Sequence, residues 1–165
     1  MIRIRRARTR HDAQIIGEMI FPIWREPVSD ENLDRLFHCI LKFPDGHLIT
    51  SISGRPAAVS VGFPIYKKPS FSDLNNRFPY HFFKACSSVY LINLIDVLPL
   101  FRNKGIESAI LDRHIAAARN HFFGKMTGLA SLSSVDIWRR KGFSDMGEAG
   151  RYRKSGVVQW MEKDI

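Results

Sequence analysis

Val97-Leu98-Pro99-Leu100-Phe101-Arg102-Asn103-Lys104-Gly105-Ile106-Glu107-Ser108 is the stretch on which the reading of this chain turns. It follows the most apolar run of the sequence, Val89–Leu98 (VYLINLIDVL), whose composition predicts a central strand buried on both faces. Pro99 ends that strand. Beyond it, Ile106, Ile110, Leu111, Ile115, Ala118 and Phe122 recur at helical spacing and predict a helix over Gly105–His121. A strand that runs through a tight turn into a helix leaves the first-turn amides free, and the helix dipole adds positive potential there. Leu91 to Ser108 is therefore expected to form a strand, turn and helix start that hold a pyrophosphate. Gly105 lets the backbone approach a ligand closely, and Arg102 and Lys104 add charge.

The elements on either side alternate, which points to an α/β or α+β fold. Residues 2–8 read as a strand, with Ile2-Arg3-Ile4-Arg5 alternating between an apolar and a solvated face. Thr9 and Asp12 have the spacing of a short capping box, and Ile15, Ile16, Met19 and Ile20 continue a helix that Pro22 and Pro27 are expected to break. Ser29 or Asp30 starts a second helix, with Leu33, Leu36, Phe37, Ile40 and Leu41 on one face. Pro44-Asp45-Gly46 reads as a turn. His47–Ser53 and Ala57–Ile65 flank Ser53-Gly54-Arg55-Pro56 as a hairpin. Tyr66 to about Ser88 reads as a long loop or short helices over the core. Downstream, Lys125–Leu132 is a strand, and Ser133 or Ser134 caps a short helix that ends at Gly142. Phe143–Arg153 and Val157–Lys163 are closing strands.

The central stretch resembles the signature of the GNAT superfamily of acyl-CoA-dependent N-acyltransferases. That signature is a strand ending in V-x-P, then R/Q-x-x-G-x-G/A, then an amphipathic helix. Here it reads Val97-Leu98-Pro99 and Arg102-Asn103-Lys104-Gly105-Ile106-Glu107. A second family marker, aromatic-x-x-x-G-F, reads Trp138-Arg139-Arg140-Lys141-Gly142-Phe143. The resemblance covers nearly the whole chain, as a single domain over 1–165. It implies a mixed, mostly antiparallel sheet with a splayed pair of parallel strands and flanking helices. It also implies acetyl-CoA as cofactor and transfer of the acetyl group to a primary amine, on a small molecule or a protein, by direct attack.

By the same resemblance, the backbone of Ile95, Asp96 and Val97 would hold the pantetheine arm, and Arg102, Asn103, Lys104, Gly105, Ile106, Glu107 and Ser108 the pyrophosphate. Ser131 and Ser134 would contact the pantetheine. They stand where the family usually has asparagine and alanine, and capping of the short helix is the plainer reading for Ser133 and Ser134. Asp96, beside the expected thioester, is the candidate base, with a structural aspartate as the alternative. Asn93 falls near a position where some members carry a glutamate base, and a carboxamide cannot act as one. Tyr90 and Tyr152 are further candidates without motif support. Two departures stand out. Glu107 replaces a small residue, and solvent exposure in the first helical turn is the expected resolution. Trp138 replaces a tyrosine that protonates the leaving thiolate, and indole supplies no acidic proton. Trp138 is read as a packing residue.

Composition bounds the alternatives. The chain has 165 residues, 45% hydrophobic and 25% charged, with a net charge of +9. That composition argues against disorder. The N-terminus lacks the apolar segment of a signal peptide, and no apolar run approaches the roughly 18 residues needed to cross a bilayer. No membrane partner is expected. Cys39 and Cys86 show no zinc or disulfide spacing, which together with the rest suits a cytoplasmic protein. The six histidines show no metal spacing and most are expected on surfaces or helix faces, so no metal is expected. The positive charge, with Arg3, Arg5, Arg6, Arg8 and Arg10 near the start, raises nucleic-acid binding as a lesser reading. Attraction of CoA phosphates accounts for it equally. A non-catalytic CoA-binding module is the other alternative. A homodimer is left open, and the acceptor is not legible.

Overall fold

The computed structural model describes residues 1–24, 26–76, 83–84, 87–152 and 156–165, and only the backbone of residues 24, 74–76 and 152. Cys86, His81 and the side chain of Tyr152 therefore lie outside the described residues. In chain order the elements are β1 (Ile2–Arg6), α1 (Arg10–Trp24), α2 (Asp30–Lys42), β2 (His47–Ile52), β3 (Arg55–Ile65), α3 (Phe71–Asn76), β4 (Val89–Val97), α4 (Ile106–Asn120), β5 (Lys125–Ser131), α5 (Val135–Arg140), β6 (Ser144–Tyr152) and β7 (Gly156–Asp164). Short 3-10 turns occupy Pro44–Gly46 and Pro99–Phe101. The strands form one sheet in the order β1-β2-β3-β4-β5-β7-β6. Every neighbouring pair is antiparallel except β4 and β5. This is the expected mixed α/β architecture.

Alternation along β3 sends side chains to opposite faces of the sheet. Val59, Val61 and Phe63 join Ile16, Ile20 and Phe21 of α1 and Leu36 and Ile40 of α2 in one core. On the other face, Tyr90 and Ile92 of β4 pack with Leu111 and Ile115 of α4, Trp138 of α5 and Met161 of β7.

The capping box forms. The amide of Asp12 donates to Thr9 Oγ1 (3.1 Å), and Asp12 Oδ2 accepts from the amides of Arg8 and Thr9 at 2.8 and 3.1 Å. Arg5 Nη2 donates to Asp12 Oδ1 at 2.6 Å, tying β1 to α1. Burial alone would raise the Asp12 pKa, but the hydrogen bonds from Arg5, Arg8 and Thr9 outweigh it and hold the carboxyl down at about 2. Arg6 pairs with Asp45, and Arg10 with Asp30 and Asp34. These three arginines tie β1 and its surroundings together, but burial along β1 does not alternate as expected: Ile2 and Arg3 are both exposed and Ile4 and Arg5 both half-buried. Ser53 and Gly54 both take positive φ (50° and 81°), as a two-residue hairpin turn requires.

Three expectations need correction. Pro22 does not break α1, which continues to Trp24. The proline sits in the last turn, where a lost amide costs one bond, and buried Ile20 and Phe21 hold the segment in place. Leu41 is 59% exposed, because the stripe that α2 buries runs through Leu33, Leu36 and Ile40. Phe122 is 92% exposed and has φ 57°, since the helix has already ended at Asn120; Phe123 turns into the core instead. Of the six histidines, His47 and His114 are fully buried. His114 Nδ1 lies 2.6 Å from the Tyr90 hydroxyl and Nε2 lies 2.9 Å from Ser60 Oγ, which bridges α4 to β4 and β3. Burial pushes the His114 pKa down to about 3 and the His47 pKa down to about 4. It drives the Tyr90 hydroxyl well above its usual value, so Tyr90 is locked in the core and not poised to titrate.

Candidate functional site in the fork between two strands

β4 and β5 run side by side only from Val89↔Lys125 to Ile92↔Gly128. Beyond that point each strand keeps its outer neighbour. β4 stays paired with β3 as far as Ala58↔Val97, and β5 with β7 as far as Ser131↔Val158. The two strands therefore part, and a cavity of about 320 Å3 opens between them. Its walls are Asn93 to Val97 on one side, Leu129 and Ser131 on the other, and the start of α4 and the face of α5 at the mouth.

Local sequence explains the fork. Val61 pairs with Leu94 and Gly62 with Ile92, so Asn93 is an extra residue in β4. Such a bulge bends the strand and resets which side chains face which way. Leu94 accordingly packs with the α1/α2 core, and Ile95 and Val97 with the α4 side. Asp96 lies between Ile95 and Val97 and so faces the α1/α2 side of the sheet. The far half of β4 is only partly buried, contrary to the expectation of a strand covered on both faces, because it forms the cavity wall.

At the mouth, Asn103 and Gly105 take φ 59° and 74°, and Gly105 precedes the first residue of α4. A β-carbon added at Gly105 would meet nothing within 4 Å, so the space above the helix start is open. No side chain caps α4. Its first amides thus face an open space, a cradle for an anion.

α5 ends in a paired-bond cap. The amide of Gly142 donates to the Arg139 carbonyl at 2.9 Å, and that of Phe143 to the Trp138 carbonyl at 3.1 Å, with Gly142 at φ 83°. The Phe143 and Trp138 rings meet at 4.8 Å between centroids. The aromatic-x-x-x-G-F pattern is therefore a helix stop with its hydrophobic clasp. It fixes the Trp138 indole against Gly128, where a β-carbon would lie 2.6 Å from the ring.

Glu107 is half-buried, and its carboxylate is tied to the protein instead of standing free in solvent as expected. Its Oε1 accepts from the Trp138 indole N–H at 3.0 Å and its Oε2 from the Ser134 hydroxyl at 2.8 Å. Two donors outcompete water for the carboxylate. Ser134 is thereby diverted from capping α5, which has no side-chain cap, and its oxygen lies 3.0 Å from Ser131 Oγ. Trp138 packs as expected and in addition anchors this carboxylate.

No family model matches this chain, and no curated protein matches it. Solved structures do. A ribosomal-protein-alanine N-acetyltransferase from Brucella melitensis superposes with a TM-score of 0.70 at 17% identity, covering 99% of both chains. yncA from Salmonella typhimurium, with its cofactor acetyl-CoA, gives 0.69 at 16% identity, over 99% of this chain and 93% of that one. The GNAT-like decarboxylase GphF, in complex with isobutyryl-CoA, gives 0.69 at 15% identity over 98% of each chain. The fold is the GNAT fold. At these identities the likeness speaks to architecture.

Within this GNAT fold the expected residues are distributed unevenly. Ile95, Asp96, Val97, Arg102, Asn103, Gly105, Ile106, Glu107, Ser131 and Ser134 all line the cavity. Lys104 and Ser108 do not; the Lys104 ammonium lies 5.6 Å from the centre of the Phe101 ring. Arg102 Nε donates to the Val97 carbonyl at 3.1 Å, so this guanidinium braces the turn. Sequence reasoning missed Phe101, Leu129, Ile137 and Val158 as wall residues. No local pattern marks them, because the fork brings them together from four separate segments. Among the described residues no group of histidine, cysteine or carboxylate side chains could hold a metal ion, and no helix is long and apolar enough to cross a membrane. Burial pushes the Cys39 thiol up to about 12, which leaves it unreactive.

Proposed function

We propose that this protein is an acyl-CoA-dependent N-acyltransferase that moves an acetyl group from acetyl-CoA to a primary amine of a small molecule or protein. The observation that carries the proposal is the fork. The open amides at the start of α4 stand at the mouth of a cavity whose long wall is the free edge of β4. An extended, anion-tipped donor suits that shape. Its pyrophosphate would lie on the amides of Asn103 to Ser108, where two left-handed residues and the helix dipole favour negative charge. Its pantetheine arm would run along the edge of β4 at Ile95 to Val97 that faces away from β3, with Ser131 and Ser134 opposite. Glu107 does not oppose this, because its charge is turned toward Trp138 and Ser134.

Acetyl-CoA supplies the activated acyl group as its thioester. The protein must bring an amine to that carbonyl and take a proton from it. Asp96 is our candidate for the proton acceptor, since it is one of the residues lining the cavity and strand alternation sets its side chain on the face opposite Ile95 and Val97. We read 1–165 as one acyltransferase domain working in the cytoplasm. The net charge of +9 would draw the cofactor's phosphates.

Incubation with acetyl-CoA and a panel of amines tests the proposal by thiol release. Turnover with at least one amine, reduced at least tenfold by Asp96→Asn, is expected. Tight acetyl-CoA binding without turnover on any amine would instead favour a non-catalytic CoA-binding module. Trp138 in place of a phenolic acid is the observation that favours that second reading.

A further inference from the structure

Asn93 is 2% exposed and lines the inner end of the cavity, yet neither Oδ1 nor Nδ2 has a hydrogen-bond partner among the described residues. Buried polar side chains are normally paired, because an empty donor or acceptor forfeits the hydrogen bonds it had with water. Here both ends of one carboxamide are empty. Thr50 and Thr127 also bury unpartnered hydroxyls, but neither lines the cavity.

The location of Asn93 gives its unpaired carboxamide a meaning. It is the bulged residue of β4, immediately after Ile92↔Gly128, the last pair before the strands part. It therefore stands at the apex of the fork. From there β4 leads outward to Val97 and on to the open start of α4. A donor anchored by its phosphates at α4 and lying along β4 would bring its reactive end to Asn93.

Resting on the acyltransferase reading, we propose that Asn93 holds both reacting groups at the apex of the fork. Its Nδ2–H donates to the thioester carbonyl oxygen, and its Oδ1 accepts an N–H of the attacking amine. A carboxamide is the smallest side chain that offers both functions side by side. The amine lone pair forms the new C–N bond while the carbonyl electrons move onto oxygen, where Nδ2–H meets the growing charge. As the carbonyl re-forms, the C–S bond breaks and its electron pair leaves on sulfur. The proton lost by the amine passes to the Asp96 carboxylate and ends on the thiolate. The products are an amide and the free thiol of CoA.

The test uses the full chain and two variants. Asn93→Leu keeps the branching and the heavy-atom count and removes both polar atoms, and Asn93→Asp keeps the shape and the acceptor but loses the donor. Calorimetry measures acetyl-CoA and CoA separately, since only acetyl-CoA carries the carbonyl. The expected result is that both variants lower the ratio of acetyl-CoA to CoA affinity about fivefold, with CoA affinity itself unchanged. Turnover is expected to fall about 100-fold or more in kcat with little change in KM for acetyl-CoA. An unchanged affinity ratio and kcat in a folded variant overturns the role of Asn93 and leaves the acyltransferase reading standing. Failure of the wild-type chain to bind either acetyl-CoA or CoA overturns both. Should Asn93→Leu not fold, Asn93→Asp carries the same measurement.

Discussion

The indole N–H of Trp138 donates a 3.0 Å hydrogen bond to Glu107 Oε1. It joins the two positions at which this chain departs from the GNAT pattern. A glutamate at the small-residue position would otherwise set a negative charge loose at the start of α4. A tryptophan at the tyrosine position supplies a donor that ties that charge down. Ser134 adds the second donor, so the three residues make one unit across α4 and α5.

Glu107→Gly restores the open pattern at the helix start and removes the negative charge. On the acyltransferase reading, CoA affinity should change little, read by calorimetry, because the charge is already turned toward Trp138 and Ser134. Stability should fall by about 1 kcal/mol in urea unfolding, because the nearly buried indole N–H then loses its partner. An affinity that drops with the charge removed would show that Glu107 helps to hold the cofactor.

Gly128→Ala drives a β-carbon to 2.6 Å from the Trp138 ring and 2.9 Å from the Ile92 carbonyl. The ring is pinned by Phe143 and Glu107 and cannot swing away. A loss of about 1–3 kcal/mol in urea unfolding is expected, as for other overpacked cores.

Gly142→Ala tests the helix stop. The residue sits at φ 83°, and the nearest atom to an added β-carbon is the flexible end of Lys163. Space is therefore not the constraint, and the left-handed backbone is. About 1 kcal/mol of destabilisation is expected in chemical denaturation, with Gly142→Asn milder than Gly142→Ala.

Two buried histidines make stability pH-dependent. Their folded pKa values, about 4 for His47 and about 3 for His114, lie below the ordinary 6.5. The unfolded chain therefore binds these protons first as pH falls, so acid favours unfolding. Their contribution is fully present above pH 6.5 and is lost progressively from pH 6.5 down to about 4 for His47 and about 3 for His114, by up to about 1.4 kcal/mol per pH unit for each ring. Urea midpoints between pH 7.5 and 4.5 should follow that slope. His114→Gln should flatten it.

What could be read without coordinates was local. The Thr9–Asp12 box, the Ser53-Gly54 turn, the Gly105 helix start and the Gly142 stop each depend on residues within a few positions of one another. Local backbone preference and short-range hydrogen bonds fix such features, and together with hydrophobic periodicity they gave the order of strands and helices. The resemblance in the Val97–Glu107 stretch then extended that order to a fork and a cofactor cavity.

The tertiary structure decided whatever depends on partners distant in sequence. Glu107 points inward because Ser134 and Trp138, 27 and 31 residues away, offer it donors. His114 is buried because Ser60, 54 residues earlier, and Tyr90 close over it. Leu41 and Phe122 are exposed because the helices end or turn before those positions meet a core. Asn93 read in isolation is a carboxamide on an apolar strand. Only the mismatch between the β3 and β5 ladders makes it a bulge at the apex of a fork, with both polar atoms empty. Sequence periodicity sets which face a residue belongs to, but which groups come within hydrogen-bonding distance across that face is settled by how the separate segments pack.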